Sequence, residues 1–159
     1  MSLLQHAVFT KLDWAIILAT QYHSDTVDKG GEPYIFHPLR VMLAMRGMHG
    51  GGEESQIVAV LHDVVEESRK HKRDQLHLSE IHSRFGKRIH DAIDAITRRP
   101  DETYKAYILR CKANDLARWV KLADLHDNLN KDRIPSYQHD GYASLWRRYE
   151  EAVDMLISE

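Results

Sequence analysis

Histidine followed by aspartate occurs four times in this chain, at His62-Asp63, His90-Asp91, His126-Asp127 and His139-Asp140. The first pair stands in AVLHDVVEES, residues 59–68, inside an apolar run that closes on Glu66 and Glu67. What the pair can do depends on the backbone. In a strand His62 and Asp63 point to opposite faces and do not easily share a ligand. In a helix they lie about 100° apart, with Glu66 one turn beyond both and Glu67 one turn beyond Asp63. Four polar side chains then converge on one patch of an otherwise apolar helix. Burying them without partners costs on the order of several kcal/mol, and a bound cation is a sensible compensator.

The other pairs read differently. His90-Asp91 sits in KRIHDAIDAI, where Ile89, Ile93 and Ile96 make a buried stripe and His90 shares the polar side with Asp94, a solvated face. His139-Asp140 precedes Gly141 in a polar loop, where turn and cap chemistry explains it. In KLADLHDNLN, periodicity leaves Asp124 one turn after Val120 and one before Asn128, and it also leaves His126 one turn after Leu122. Pattern alone does not choose between them. A further histidine enters through GEPYIFHPLRV, where His37 precedes Pro38 and so suits the first turn of a helix, with its imidazole at the helix mouth.

Helices must position these groups, because apolar residues return at helical spacing almost everywhere and no segment sustains alternation. The spacing predicts an all-α domain with helices at 4–23, 37–48, 54–67, 78–85, 87–98, 103–112, 114–130 and 141–157. Leu145, Tyr149, Val153 and Leu156 form the inner stripe of the last, with Asp140 as its N-cap. GMHGGGEE is a loop, since three consecutive glycines each cost a helix about 1 kcal/mol relative to alanine. DKGGEPY is another, with Pro33 holding the residue before it out of helix. IVAVLHDVV is the ambiguous segment: its β-branched residues suit a buried strand by propensity.

The chain has 159 residues, 43% hydrophobic and 29% charged, which reads as one soluble globular domain over 1–159. A chain of this size buries about 70% of the surface its unfolded form exposes. A net charge of −2 leaves no whole-domain footprint for nucleic acid. The lone cysteine, Cys111, excludes an intramolecular disulfide and fits a reducing compartment as an inert helix residue. Lys11 and Asp13 interrupt the N-terminal apolar stretch, which offers neither a signal-peptide core nor a membrane span. The expectation is a cytoplasmic protein.

Taken together, GEPYIFHPLRV, AVLHDVVEE and RWVKLADLHDNL resemble the HD-domain phosphohydrolases, a helical bundle of about seven to eight helices. The nearest subgroup is the alarmone hydrolases related to the hydrolase half of RelA/SpoT enzymes. No synthetase half fits 159 residues, so the likeness is to stand-alone small alarmone hydrolases. The resemblance implies one manganese ion on His37, His62, Asp63 and Asp124, with His126-Asp127 a bystander. Two imidazoles and two carboxylates suit manganese, iron or zinc, so the ligand set alone does not name the metal. It further implies Glu66 and Glu67 as the water-activating pair, Asn128 as a substrate contact and Lys29 as a basic residue beside the nucleobase.

Three departures stand out. Asp28 occupies the place of a base-stacking arginine, where a carboxylate could accept hydrogen bonds from a base edge, which opens an adenine alarmone as substrate beside a guanine one. Glu67 replaces the usual aspartate. The segment SRKHKRDQLH is also longer than its family counterpart and reads as a solvated basic loop over 68–74 or as a funnel for a polyanion. The implied reaction is hydrolysis of the 3′-pyrophosphate of a guanosine or adenosine 3′,5′-polyphosphate. Lys29, Arg98, Arg99 and Arg133 are the cationic candidates for binding it, and Tyr34 and Tyr137 could flank the base. The competing expectations are a nucleotidase or NADPH phosphatase of the same superfamily, and a nucleotide-binding sensor without turnover. Nucleic-acid binding through SRKHKR fits least, because the rest of the chain is acidic.

Overall fold

The ambiguous apolar segment is helical. In the computed structural model, which describes residues 8–48, 51–70 and 76–158, Ile57, Val58, Ala59, Val60 and Leu61 are all buried. A helix buried on every side shows no amphipathic stripe, so its β-branched run reflects burial rather than a pleated strand. This helix, α3 (Glu53–Leu61), is the central element. It packs against α1 (Lys11–Tyr22), α2 (Phe36–Met45), α6 (Lys87–Ile96) and α8 (Asp115–Asn128). After a break at His62 and Asp63 the chain resumes as α4 (Val64–Lys70), so the two form one interrupted helix. The remaining elements are α5 (Leu78–Phe85), α7 (Tyr104–Lys112) and α9 (His139–Ile157), with two short 3-10 turns, Lys131–Arg133 and Ser136–Gln138. No strand occurs among the described residues; one isolated bridge, Val27 to Pro33, closes the loop between α1 and α2.

Several boundaries differ from the sequence pattern, each for a local reason. The first helix was expected from residue 4; residues 4–7 lie outside the described residues, and α1 begins at Lys11 because Thr10 and Asp13 form a reciprocal capping box. The last helix begins two residues earlier than expected, so Asp140 lies in its first turn and does not cap it. His139 and Asp140 therefore belong to α9, and His139 Nε2 lies 2.9 Å from the Ile134 carbonyl oxygen. The buried stripe of α9 includes Trp146 and Ala152, while Leu145 is only half-buried. The basic segment opens inside α4: Ser68 is fully buried and its hydroxyl donates to the Val65 carbonyl at 2.9 Å. Residues 71–75 of that segment, and 49–50 of the glycine-rich loop, lie outside the described residues.

Candidate metal centre

Three separated segments meet beside α3. The loop between α1 and α2 is drawn tight by Asp28, whose Oδ1 accepts from the Gly30 and Glu32 amides at 2.8 and 3.1 Å. Gly31 takes the turn at φ +86°, where a side chain would be strained. The loop ends with Tyr34 and leads directly into α2, so His37 falls in the first helical turn, where the missing amide of Pro38 costs nothing. His62 and Asp63 stand at the break between α3 and α4, and Asp124 projects from the buried face of α8.

His37, His62 and Asp124 place ligand atoms within 4.8 Å of one another. His37 Nε2 is 3.1 Å from Asp124 Oδ1, and His62 Nε2 is 3.6 Å from the same oxygen. Asp63 Oδ2 lies 3.2 Å from His62 Nε2 and 3.8 Å from His37 Nε2. The first three share one centre, and the Asp63 carboxylate borders it beside the two imidazoles. Each imidazole is turned toward it by a partner on its far nitrogen: His62 Nδ1 meets the Ala59 carbonyl at 2.7 Å, and His37 Nδ1 meets Asp127 Oδ2 at 2.6 Å. Those acceptors require a proton on Nδ1, which leaves both Nε2 lone pairs directed inward, the usual arrangement of metal-ligating histidines. His62 Nε2 is buried and has no hydrogen-bond partner. A cation is what this donor set fits.

The electrostatics agree. Burial disfavours charge on His62 and His37, but the neighbouring carboxylates outweigh it and raise both pKa values. Burial equally opposes ionised Asp124, yet the Lys121 ammonium, 2.7 Å from Oδ2, and the two imidazoles hold it well below the usual carboxylate range. The centre thus attracts positive charge strongly, and a divalent ion and protons compete for the same lone pairs. Tyr34 donates its hydroxyl to Asp63 Oδ2 at 2.5 Å, and Asn128 donates to Asp124 Oδ1 at 2.5 Å. Behind Tyr34, the His23 ring stacks at 4.9 Å between centroids. His23 is 2% exposed, neither ring nitrogen has a partner, and burial pulls its pKa down to about 4.

The centre opens into a cleft of about 230 Å3. Glu66 lines its metal end, with one carboxylate oxygen fixed by the Arg98 amide at 2.7 Å and its pKa raised by burial and the nearby Asp63 charge. Lys70 and Lys121 line the same end. The far end is walled by Tyr142, Trp146 and Tyr149 of α9, with Lys29 Nζ 5.6 Å above the Tyr142 ring and 5.7 Å above Tyr149. Tyr34, Asn128 and Arg133 also face the cleft.

Other expected residues stand elsewhere. Glu67 is buried, pairs with Lys70 and does not line the cleft. The Arg98 guanidinium lies over the Tyr104 ring at 5.6 Å, Arg99 binds Asp94 at 3.1 Å, and Tyr137 is 83% exposed; none of the three lines the cleft. Asp28 lines the cleft with Oδ1 taken by two amides and Oδ2 shared with Arg133. Asp127, read from sequence as a bystander, holds His37, whereas His126 is exposed. Lys121 and the α9 aromatics were missed, although Lys121 stands three residues before Asp124 and residues 142, 146 and 149 share one helical face.

Comparison with known proteins bears on this geometry. An HD-domain family model matches residues 15–118. The guanosine-3′,5′-bis(diphosphate) 3′-pyrophosphohydrolase of Aquifex aeolicus is 31% identical over 133 residues, covering 79% of this chain and 18% of that protein. The protein of the same name from Borreliella burgdorferi is 28% identical over 142 residues, covering 81% of this chain and 20% of that one. The chain thus spans about a fifth of the length of these curated relatives. A solved metazoan ortholog of SpoT, a protein that hydrolyzes ppGpp, shares the fold with a TM-score of 0.64 at 19% identity, covering 94% of this chain and 96% of that one. No helix among the described residues is long and apolar enough to cross a membrane.

Proposed function

Because the chain belongs to the HD-domain family, we propose that it hydrolyses the 3′-pyrophosphate of a guanosine or adenosine 3′,5′-polyphosphate, with one manganese ion held by His37, His62, Asp63 and Asp124. The observation that carries this reading is the convergence of two inward-facing imidazoles and the Asp124 carboxylate, with Asp63 beside the imidazoles, at the floor of a cleft lined by ammonium groups and aromatic rings. The names of the Aquifex and Borreliella relatives support the choice of reaction.

In this reaction a water oxygen bonds to the phosphorus carried by the ribose 3′ oxygen, and the bond between that phosphorus and the 3′ oxygen breaks. Pyrophosphate leaves, the 3′ oxygen takes up a proton, and the 5′-phosphorylated nucleoside remains. A divalent ion at the centre would acidify water and neutralise phosphoryl charge. Glu66 accepts the water proton, and its raised pKa brings it nearer to the working pH of a general base. Lys70 and Lys121 offset charge on the pyrophosphate, since phosphoryl transfer needs mainly positioning and charge stabilisation. Glu67 keeps the Lys70 ammonium at the cleft. Lys29 and the α9 aromatics flank the nucleoside.

The test offers ppGpp and ppApp in parallel to manganese-loaded protein and resolves products by ion-exchange chromatography. Pyrophosphate release supports the reading. Orthophosphate release would indicate a phosphatase, and stoichiometric nucleotide binding without turnover a sensor; either outcome overturns it. Asp63→Ala should abolish pyrophosphate release and weaken bound metal while the helical circular dichroism persists. Full activity in that variant removes Asp63 from the centre.

A further inference from the structure

We infer that Arg133 is a positioning residue that ties the loop carrying Lys29 to the metal-ligand candidate His37, rather than a contact for substrate phosphate. The inference rests on the cation reading of the centre. Arg133 ends the 3-10 turn after α8 and faces the cleft, where a cation would ordinarily be read as a phosphate ligand. Three of its five N–H donors are already engaged. Nη1 donates to Asp127 Oδ2 at 2.5 Å and to the Asp127 carbonyl at 3.1 Å, and Nη2 donates to Asp28 Oδ2.

Each carboxylate leads to a different part of the site. Asp127 Oδ2 is the acceptor that turns His37, and Arg40 grips the same carboxylate from its other side, through Nε to Oδ1 at 2.7 Å and through Nη2 to Oδ2 at 3.1 Å. Asp28 is the acceptor that folds the 28–32 turn, immediately before Lys29. The main chain of Arg133 acts on the same loop: Gly30 lies so close to the Arg133 carbonyl oxygen that a Cβ there would collide with backbone. Two guanidinium groups and two carboxylates make a neutral quartet. The Asp28 and Asp127 side chains are 7% and 11% exposed, and Arg133 is the better buried of the two arginines, at 22% against 37% for Arg40. A planar guanidinium with several donors can span two carboxylates in fixed geometry, and an ammonium cannot. Removing it leaves Asp28 as a buried charge without its guanidinium partner and takes two of the donors from Asp127, so that Arg40 alone steadies the acceptor that sets the His37 ring.

The experiment measures manganese affinity by calorimetry without nucleotide, for wild type, Arg133→Gln, Arg133→Lys and the charge-neutral pair Asp28→Asn with Arg133→Gln. Loss of a partner that orients a ligating histidine weakens metal binding by about 10- to 100-fold, and both Arg133 single variants should show it. The paired variant restores charge balance and keeps the fold, so weak binding there reports lost orientation rather than unfolding. Unchanged manganese affinity in Arg133→Gln with a raised KM would overturn the inference in favour of a substrate contact. Full rescue by Arg133→Lys would overturn the bridging geometry. A second readout needs no metal: the ring 15N signals of His37 in chelator-treated protein should be one sharp set in wild type and exchange-broadened in Arg133→Gln. If wild type takes up no manganese, the proposed function loses its cation, and the His37 ring spectrum alone decides the role of Arg133.

Discussion

Replacing His23 with phenylalanine should make the protein less sensitive to mild acid. The wild-type ring is 2% exposed, has no hydrogen-bond partner, and carries a pKa of about 4 in place of 6.5. The unfolded chain therefore binds a proton at this position through a pH range in which the folded chain does not, and stability falls as pH drops below 6.5, levelling off only below about 4. At pH 5 the linkage relation gives a cost of about 2 kcal/mol, and moving the folded value by a whole unit changes that by only about 0.4 kcal/mol. Phenylalanine keeps the ring stacked on Tyr34 and removes the titration. Urea unfolding of chelator-treated wild type and His23→Phe, followed by circular dichroism at pH 7.5 and 5.0, measures the difference. The raised pKa values of His37 and His62 act in both proteins and drop out of the comparison. The variant should lose about 2 kcal/mol less than wild type between the two pH values. Equal losses would refute the reasoning.

Glu66→Gln keeps an acceptor for the Arg98 amide but cannot take a proton, so turnover should fall by about 10²- to 10⁴-fold with manganese affinity unchanged in calorimetry. Leu61→Ala in the buried helix should cost about 2–5 kcal/mol in urea unfolding. Asn114 caps α8 by accepting from the Ala117 amide at 3.0 Å, and Asn114→Ala should cost about 1 kcal/mol while leaving metal affinity intact.

The helical class was legible in the chain, because side-chain period carries it; pattern alone did not choose Asp124, which came from the resemblance, and its ligand atoms lie together with those of His37 and His62. What escaped was mostly pairing between segments. Asp127 is three residues from Asp124, but nothing local says that its carboxylate meets His37, which is 90 positions away. Arg98 and Arg99 looked like phosphate ligands from their place in a loop, yet that loop offers Glu66 a backbone amide instead of a guanidinium. Nothing local says that Asp28 gives one oxygen to the turn it folds and shares the other with Arg133, 105 positions away. The aromatic face of α9 was hidden for another reason: Tyr149 read as a packing residue of the inner stripe, and Trp146 was left out of that stripe although it is buried.

The burial of residues 57–61 in α3 has a consequence for how the molecule varies. His62 and Asp63 are anchored to the segment that opens only when the whole chain opens, so their surrounding amides should be among the slowest to exchange with solvent. Most enzymes hang their reactive groups on the loosest parts of the scaffold. Here the proposed ligand pair adjoins the best-buried segment of the core, so substitutions that repack residues 57–61 should be felt at the centre.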